Sequence, residues 1–314
     1  MSRDFLRAMA ERVLVFDGAM GTSVHRYDLP LSDYDGRENC TEILNLTRPD
    51  VVREIHASFL EVGADAVETN TFGANKIVLA EFGLADRTYE INRRAAELAR
   101  EVAGRFETPG RPRFVIGSIG PGTRLPSLRQ TTWDVLEDSY AEQARGLLDG
   151  GADVILVETC QDILQAKAAL AGIEIAMREK GRAAPIMVQV TMETTGTMLV
   201  GTDMAAAMVA LEAYPQIAVI GLNCATGPQE MAEHIRYLGA NCSRRISVLP
   251  NAGLPQLVDG RPHYPLTPAE FARWLKEFVE TDGVNIVGGC CGTTPEHIRA
   301  VVEAIGTRPP KPRE

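Results

Sequence analysis

Eight short apolar runs, each followed by a helical pattern, constrain this chain more than any other feature of its sequence. The runs cover residues 13–16, 66–69, 114–119, 154–157, 186–190, 218–222, 247–249 and 284–287. Each is rich in β-branched or aromatic residues and then breaks into small or polar ones, as strands buried on both faces of a parallel sheet do. Amphipathic patterns fill the gaps at 49–61, 89–103, 133–148, 162–178, 204–213, 229–238, 268–280 and 295–304. Eight β–α units of about 30 residues each predict a (β/α)8 TIM barrel, an α/β fold, with insertions in the first loops. An open doubly wound sheet is the runner-up, but it seldom needs eight such even units.

Helix boundaries follow from local chemistry. Thr47, Thr226, Thr267 and Thr294 each stand just before a proline that opens a helical pattern, which predicts hydroxyl caps. Gly63, Gly150–Gly151, Gly181 and Gly239 are expected to close helices, because glycine takes a left-handed terminal conformation most easily. Residues 2–11 form an amphipathic pattern ahead of the first strand and are expected to cover the barrel bottom. The barrel is expected to occupy 1–306 as a single domain, with 307–314 a proline-rich tail or linker.

Composition excludes several function classes. A net charge of −10 argues against non-specific nucleic-acid binding. No apolar stretch approaches the ~20 residues of a membrane span, and residues 1–12 lack the apolar core of a signal peptide. Six cysteines in 314 residues do not resemble a secreted disulfide scaffold, so a reducing cytoplasm is expected.

The cysteines carry the chemistry. Cys290 and Cys291 are adjacent within a glycine-rich segment after the eighth run, and Cys224 follows the sixth. Buried cysteines are usually small core hydrophobes, but a packed core has little use for flexible backbone beside two thiols. Three thiols at two strand ends predict a metal clamp. Zinc with three protein ligands keeps a fourth position for substrate, here an incoming thiol. Cys40, Cys160 and Cys242 are left as structural. His25, His56, His234, His263 and His297 show no ligand spacing. Other strand ends supply Asp17, Glu68, Asn70, Glu158 and Asn251. Acids beside glycine-exposed backbone N–H groups suit the ammonium and carboxylate of an amino acid.

Several segments resemble those of homocysteine S-methyltransferases: 16–22 (FDGAMGT), 68–75 (ETNTFGAN), 221–228 (GLNCATGP), 250–255 (PNAGLP) and 285–295 (NIVGGCCGTTP). The likeness is nearest to the N-terminal homocysteine-binding module of cobalamin-dependent methionine synthases. It implies that Cys224, Cys290 and Cys291 bind zinc, and that homocysteine's amino and carboxylate groups lie near Asp17, Gly18, Asn70 and Glu158. It further implies that the zinc thiolate of homocysteine is the nucleophile in a methyl transfer giving methionine, so no protein residue takes a covalent catalytic role.

The methyl donor stays open at this point. The resemblance implies methylcobalamin, carried in trans or on another module, with cobalamin- and folate-binding modules or proteins as partners. The chain itself has neither the length for those modules nor the Asp-x-His-x-x-Gly signature of a cobalamin module. A stand-alone methyltransferase using S-methylmethionine, S-adenosylmethionine or betaine is the alternative, although Trp133 and Trp274 fall in helix patterns rather than in a cage for betaine. Two readings come from other classes. A phosphate-binding barrel lyase would use Gly288, Gly289 and Gly292 as an anion-binding turn; its Schiff-base form needs a strand-end lysine, which is lacking. A non-catalytic zinc module would need a fourth protein ligand.

Overall fold

The computed structural model describes residues 4–258 and 261–311; residues 2 and 3 of the expected N-terminal helix and the last three of the expected tail lie outside the described residues. Eight parallel strands run in chain order: β1 Leu14–Val15, β2 Ala66–Glu68, β3 Phe114–Ile119, β4 Val154–Cys160, β5 Ile186–Val190, β6 Ile217–Asn223, β7 Arg245–Leu249 and β8 Ile286–Val287. Each pairs with its chain neighbour from β2 to β8, and β8 pairs with β1. The ring closes through a parallel bridge between Phe16 and Ala66. Asp17 N donates to Ala66 O at 3.1 Å and Asp65 N to Val15 O at 2.6 Å across the same seam. The expected (β/α)8 barrel is therefore the fold.

All eight expected helices are present, as Pro49–Glu61, Thr88–Phe106, Trp133–Asp149, Ile163–Lys180, Met204–Glu212, Pro228–Asn241, Pro268–Asp282 and Pro295–Ile305. Two of the four threonine caps form. Thr267 and Glu270 exchange hydrogen bonds as a capping box, and Thr294 does the same with His297. The other two do not. Thr47 instead donates its hydroxyl to Asp33 O at 2.6 Å, which ties down the preceding loop. At Thr226 the cap position falls on Gly227, whose N–H is taken by Glu230 at 3.1 Å. Gly239 does not end its helix, which runs on to Asn241. It is glycine because a Cβ there would lie 2.6 Å from the Asp282 carbonyl of the adjoining helix.

The N-terminal helix Phe5–Glu11 is capped by Asp4 and buries Phe5, Ala8 and Met9 on one stripe. Phe5 meets Phe114 edge-on at 5.3 Å and Phe16 at 6.3 Å. These join Leu14, Ile116, Val154, Leu156, Met187, Val219, Leu249 and Ile286 in one cluster that fills the barrel interior. The helix thus covers the barrel bottom. Beside it Asp65, 2% exposed, is held by Arg12 at 2.6 and 2.9 Å and by Arg113 at 3.3 Å, with Arg111 at 3.5 Å. At the same end Arg308 O accepts from Val13 N at 2.9 Å and Lys311 reaches Thr281 O at 2.8 Å, so the start of the tail lies against the barrel.

Apart from the N-terminal helix, the helices and strands outside the eight-fold pattern belong to connections that follow strands. They include short helices Met20–Val24, Leu44–Thr47 and Lys76–Glu81, and an antiparallel pair, Gln256–Val258 with Arg261–His263, after β7. Among the described residues no helix is long and apolar enough to cross a membrane.

Candidate metal centre and substrate pocket

The ends of β6 and β8 bring the three expected thiols together. Cys224, Cys290 and Cys291 place their sulfurs within 4.8 Å of one another, and the Cys224 and Cys291 sulfurs are 3.9 Å apart. Among the described residues no further histidine, cysteine or carboxylate joins that group. Sulfurs held about 2.3 Å from a tetrahedral zinc would stand about 3.8 Å apart, so this donor set fits zinc without rearrangement of that pair.

The backbone is shaped to present them. Cys224 and Ala225 adopt left-handed φ of 57° and 56° directly after β6, a costly conformation for residues with a Cβ. Cys224 N donates to Leu249 O at 3.2 Å and Thr226 N to Cys224 O at 2.6 Å. In the eighth loop Gly288 N reaches Val248 O, Gly289 N reaches Asp17 O, and Cys290 N reaches Pro250 O. Cys291 N donates to the Asn251 side chain at 3.0 Å. Two of the three glycines that an anion-binding turn would use, Gly288 and Gly289, thus have their N–H groups engaged within the chain.

Without a cation the three thiols cannot all ionise, because like charges this close repel. Hydrogen bonds from Cys224 and then Cys290 hold Cys291 down to about 3, with Tyr264 contributing a further one. Hydrogen bonding with Cys290 pulls the Cys224 thiol down, but hydrogen bonding with Cys291, burial and the Cys291 charge together raise it to about 12. Cys290 is raised well above the usual thiol range by its hydrogen bonds to Cys224 and Cys291 and by burial. A dication held by the trio would offset that repulsion and let all three become thiolates.

Beside the sulfurs lies a cavity of about 210 Å³ whose lining includes Gly18, Glu68, Asn70, Ser118, Glu158, Cys224 and Cys291. That is below the roughly 300–1,000 Å³ of pockets for drug-sized ligands. Glu158, 5% exposed, accepts from the Asn223 side chain at 2.8 Å and from Ser118. The next residue, Thr159, has φ 54° and sits at a register shift between β4 and β5. Burial, opposed by its hydrogen bond to Ser118, pushes Glu158 up to about 7. Asn70 lines the cavity but spends its side-chain N–H on Thr41 O at 2.8 Å. Asp17 lies directly behind the wall: its Oδ2 accepts from Glu68 N at 3.0 Å and its carbonyl from Gly289 N.

Glu68, expected in the sequence only as one of several strand-end acids and not among the substrate-binding residues, lines the cavity as well. Its Oε1 is buried and has no hydrogen-bond partner among the described residues. Burial first, then the charges of Glu158 and Asp17, raise it well above the carboxylate range. Its place at the end of β2, inside the quoted 68–75 segment, was the available signal. Cys40, Cys160 and Cys242 are buried among apolar side chains, as expected for structural thiols. A wider groove of about 750 Å³ between Lys76–Glu81 and Trp133–Asp149 contains none of the expected site residues.

The family model for homocysteine S-methyltransferase matches residues 14–305. Methionine synthase of Mycobacterium tuberculosis is 52% identical over 302 residues, 96% of this chain, and that of Mycobacterium leprae is 51% identical over the same length. The match covers 25% of each of those relatives, so the chain spans about a quarter of their length. Among solved structures, the metallated form of the homocysteine methyltransferase MmuM from Escherichia coli superposes with a TM-score of 0.74 at 23% identity, covering 92% of this chain and 95% of that one. Its oxidized form gives 0.77 over 96% of this chain and 99% of that one. At that identity the structures bear on the fold alone.

Proposed function

This chain belongs to the homocysteine S-methyltransferase family, and from that premise we propose that it binds homocysteine and presents its sulfur, as a zinc thiolate, for methylation to methionine. We further propose that it works as the homocysteine module of a longer methionine synthase, with cobalamin- and folate-binding modules as partners. The observation that carries the reading is the juxtaposition of three sulfurs within 4.8 Å and buried carboxyls around one small cavity.

Cys224, Cys290 and Cys291 would hold the zinc. Zinc, when bound, would accept the substrate thiol as a fourth ligand in its deprotonated form, which at neutral pH is only a few per cent of a free thiol. The remaining work falls to the chain. Glu158 and Glu68 face the substrate ammonium across the cavity, and Asp17 backs them with a third acidic group. Gly18 and Asn70 border the position for the substrate carboxylate. An arriving ammonium favours ionisation of the raised carboxyls, because opposite charge offsets their burial. Held in this way, the sulfur approaches the methyl group in a fixed direction. The new S–CH3 bond forms as the methyl carrier's bond breaks, and the carrier keeps that electron pair.

Methylcobalamin on another module is the donor this arrangement suits. Phe72, Leu128, Leu199 and Leu254 are exposed apolar side chains on loops that follow β2, β3, β5 and β7, at the cavity end of the barrel. All six cysteines are free, in keeping with a reducing, cytoplasmic setting.

Metal analysis tests the reading. The purified chain should hold about one zinc through three sulfurs, and substitution of Cys224, Cys290 or Cys291 by alanine should abolish tight binding. Full zinc occupancy in a Cys290→Ala, Cys291→Ala double variant would overturn it.

A further inference from the structure

Glu158 is gripped by side chains from two other strands. Asn223 closes β6, one residue before Cys224, and is 1% exposed. Its Nδ2 donates to Glu158 Oε2 at 2.8 Å and to Thr159 Oγ1 at 2.9 Å, while its Oδ1 accepts from Thr159 N at 2.8 Å. The amide thus spends both hydrogens and its oxygen on two consecutive residues of β4. These strands are not neighbours in the barrel. Between them lies β5, whose last residue, Val190, pairs with Leu222 on one side and Cys160 on the other. Asn223 therefore reaches past the end of β5.

What it holds is a strained piece of backbone. Thr159 has φ 54°, a costly conformation for a β-branched residue, at the point where β4 shifts register against β5. Irregularities of this kind re-aim side chains beside a site. From β3, Ser118 donates its hydroxyl to Glu158 Oε1. Ser118 is itself fixed: its N donates to Thr69 Oγ1 at 3.0 Å, and its carbonyl accepts from Thr71 Oγ1 at 2.7 Å. Each carboxylate oxygen of Glu158 thus has one donor, from strands on either side. An aspartate at 223 could not donate to a carboxylate when ionised, and a leucine could neither donate nor accept.

We propose that Asn223 is a positioning residue for substrate binding, which together with Ser118 clamps the Glu158 carboxylate in the direction of the substrate ammonium. The inference rests on the proposed binding of homocysteine. Asn223 is not among the residues that line the cavity, so its side chain acts on substrate only through what it holds. The backbone of Cys224 is anchored separately, by its N–H on Leu249 O at 3.2 Å and by Thr226 N on its carbonyl at 2.6 Å. Loss of the Asn223 amide is therefore felt by Glu158 and not by the metal ligand.

The test is a double-mutant cycle on the zinc-loaded protein, with homocysteine affinity read by calorimetry. Asn223→Ala and Ser118→Ala are each measured alone and combined with Glu158→Ala. The proposal expects Asn223→Ala to weaken homocysteine binding about tenfold or more, as for loss of a hydrogen bond to a charged group. Once Glu158 is already replaced, the same change should add no more than about twofold. Zinc affinity, read by competition with a chromophoric chelator, should match that of the parent. Unchanged homocysteine affinity would overturn the proposal, as would an equal loss in both backgrounds, since Asn223 would then act without Glu158. A parallel fall in zinc affinity would overturn it too, because Asn223 would then support the metal strand. Should Asn223→Ala fail to fold, Ser118→Ala runs the same cycle on the other carboxylate oxygen, and additivity there would overturn the clamp. If the parent protein binds no homocysteine, the proposed function itself fails; if it binds and the Asn223 variant matches it, only the role of Asn223 fails.

Discussion

At the N-terminal end of the barrel the buried carboxylate of Asp65 is met by Arg12 and Arg113 within 3.3 Å, with Arg111 at 3.5 Å. At the C-terminal end the hydrogen bonds to Asp17 and Glu158 come from a backbone N–H, a serine and an asparagine, and Glu68 Oε1 has no hydrogen-bond partner among the described residues. Burial of a charge is costly unless it is paired. One end offsets its charge within the chain, which makes it a structural joint. The other holds acidic groups and thiols whose counter-charges, on the proposed function, would be a dication and an ammonium from outside. That division matches the general separation of stability and catalysis between the two faces of such barrels.

If the comparison is right, neutralising one buried carboxylate at each end should have opposite consequences. Asp65→Asn leaves guanidinium groups without their partner and should destabilise the protein by about 3–5 kcal/mol, while the folded fraction binds zinc as before. Denaturant unfolding checks the first part and metal titration the second. Stability within about 0.5 kcal/mol of the parent, the range of an ordinary surface change, would remove the structural-joint assignment.

Glu158→Gln should do the reverse. Homocysteine affinity should weaken by about 1–3 kcal/mol, the range for losing a charge-assisted hydrogen bond, with zinc affinity unchanged. Its effect on stability follows from its raised pKa of about 7. A carboxyl that holds its proton more tightly folded than unfolded, where its value is about 4.3, stabilises the fold fully below about pH 4. That contribution disappears as pH rises through about 7. The metal-free protein should therefore lose on the order of 3–4 kcal/mol between about pH 4 and pH 8 on account of this group, and the glutamine variant should lose less. Unfolding curves at both pH values decide it. Identical pH profiles would mean that the carboxyl ionises freely in the pocket.

Sequence reading reached the two ends of the barrel unequally. The eight strands were visible because residues buried on both faces are mostly apolar in short runs, as in VILV at 154–157. The thiol trio was visible because Cys290 and Cys291 adjoin in an unusual glycine context. Glu68 was not singled out, because its importance comes from an unpartnered oxygen, which depends on the packing of β2 against its neighbours. Thr47 and Thr226 show the local limit. Each has the composition of a helix cap, but one bonds to a distant loop and the other is displaced by its glycine neighbour.

The central claim is that the cysteine trio leaves a position which the substrate sulfur fills. X-ray absorption at the zinc edge measures this directly on the metal-loaded protein before and after homocysteine is added. The account predicts three sulfurs plus one lighter neighbour before addition and four sulfurs after it, with a proton released as the thiol becomes a thiolate. An unchanged zinc environment in protein shown by calorimetry to have bound homocysteine would contradict it.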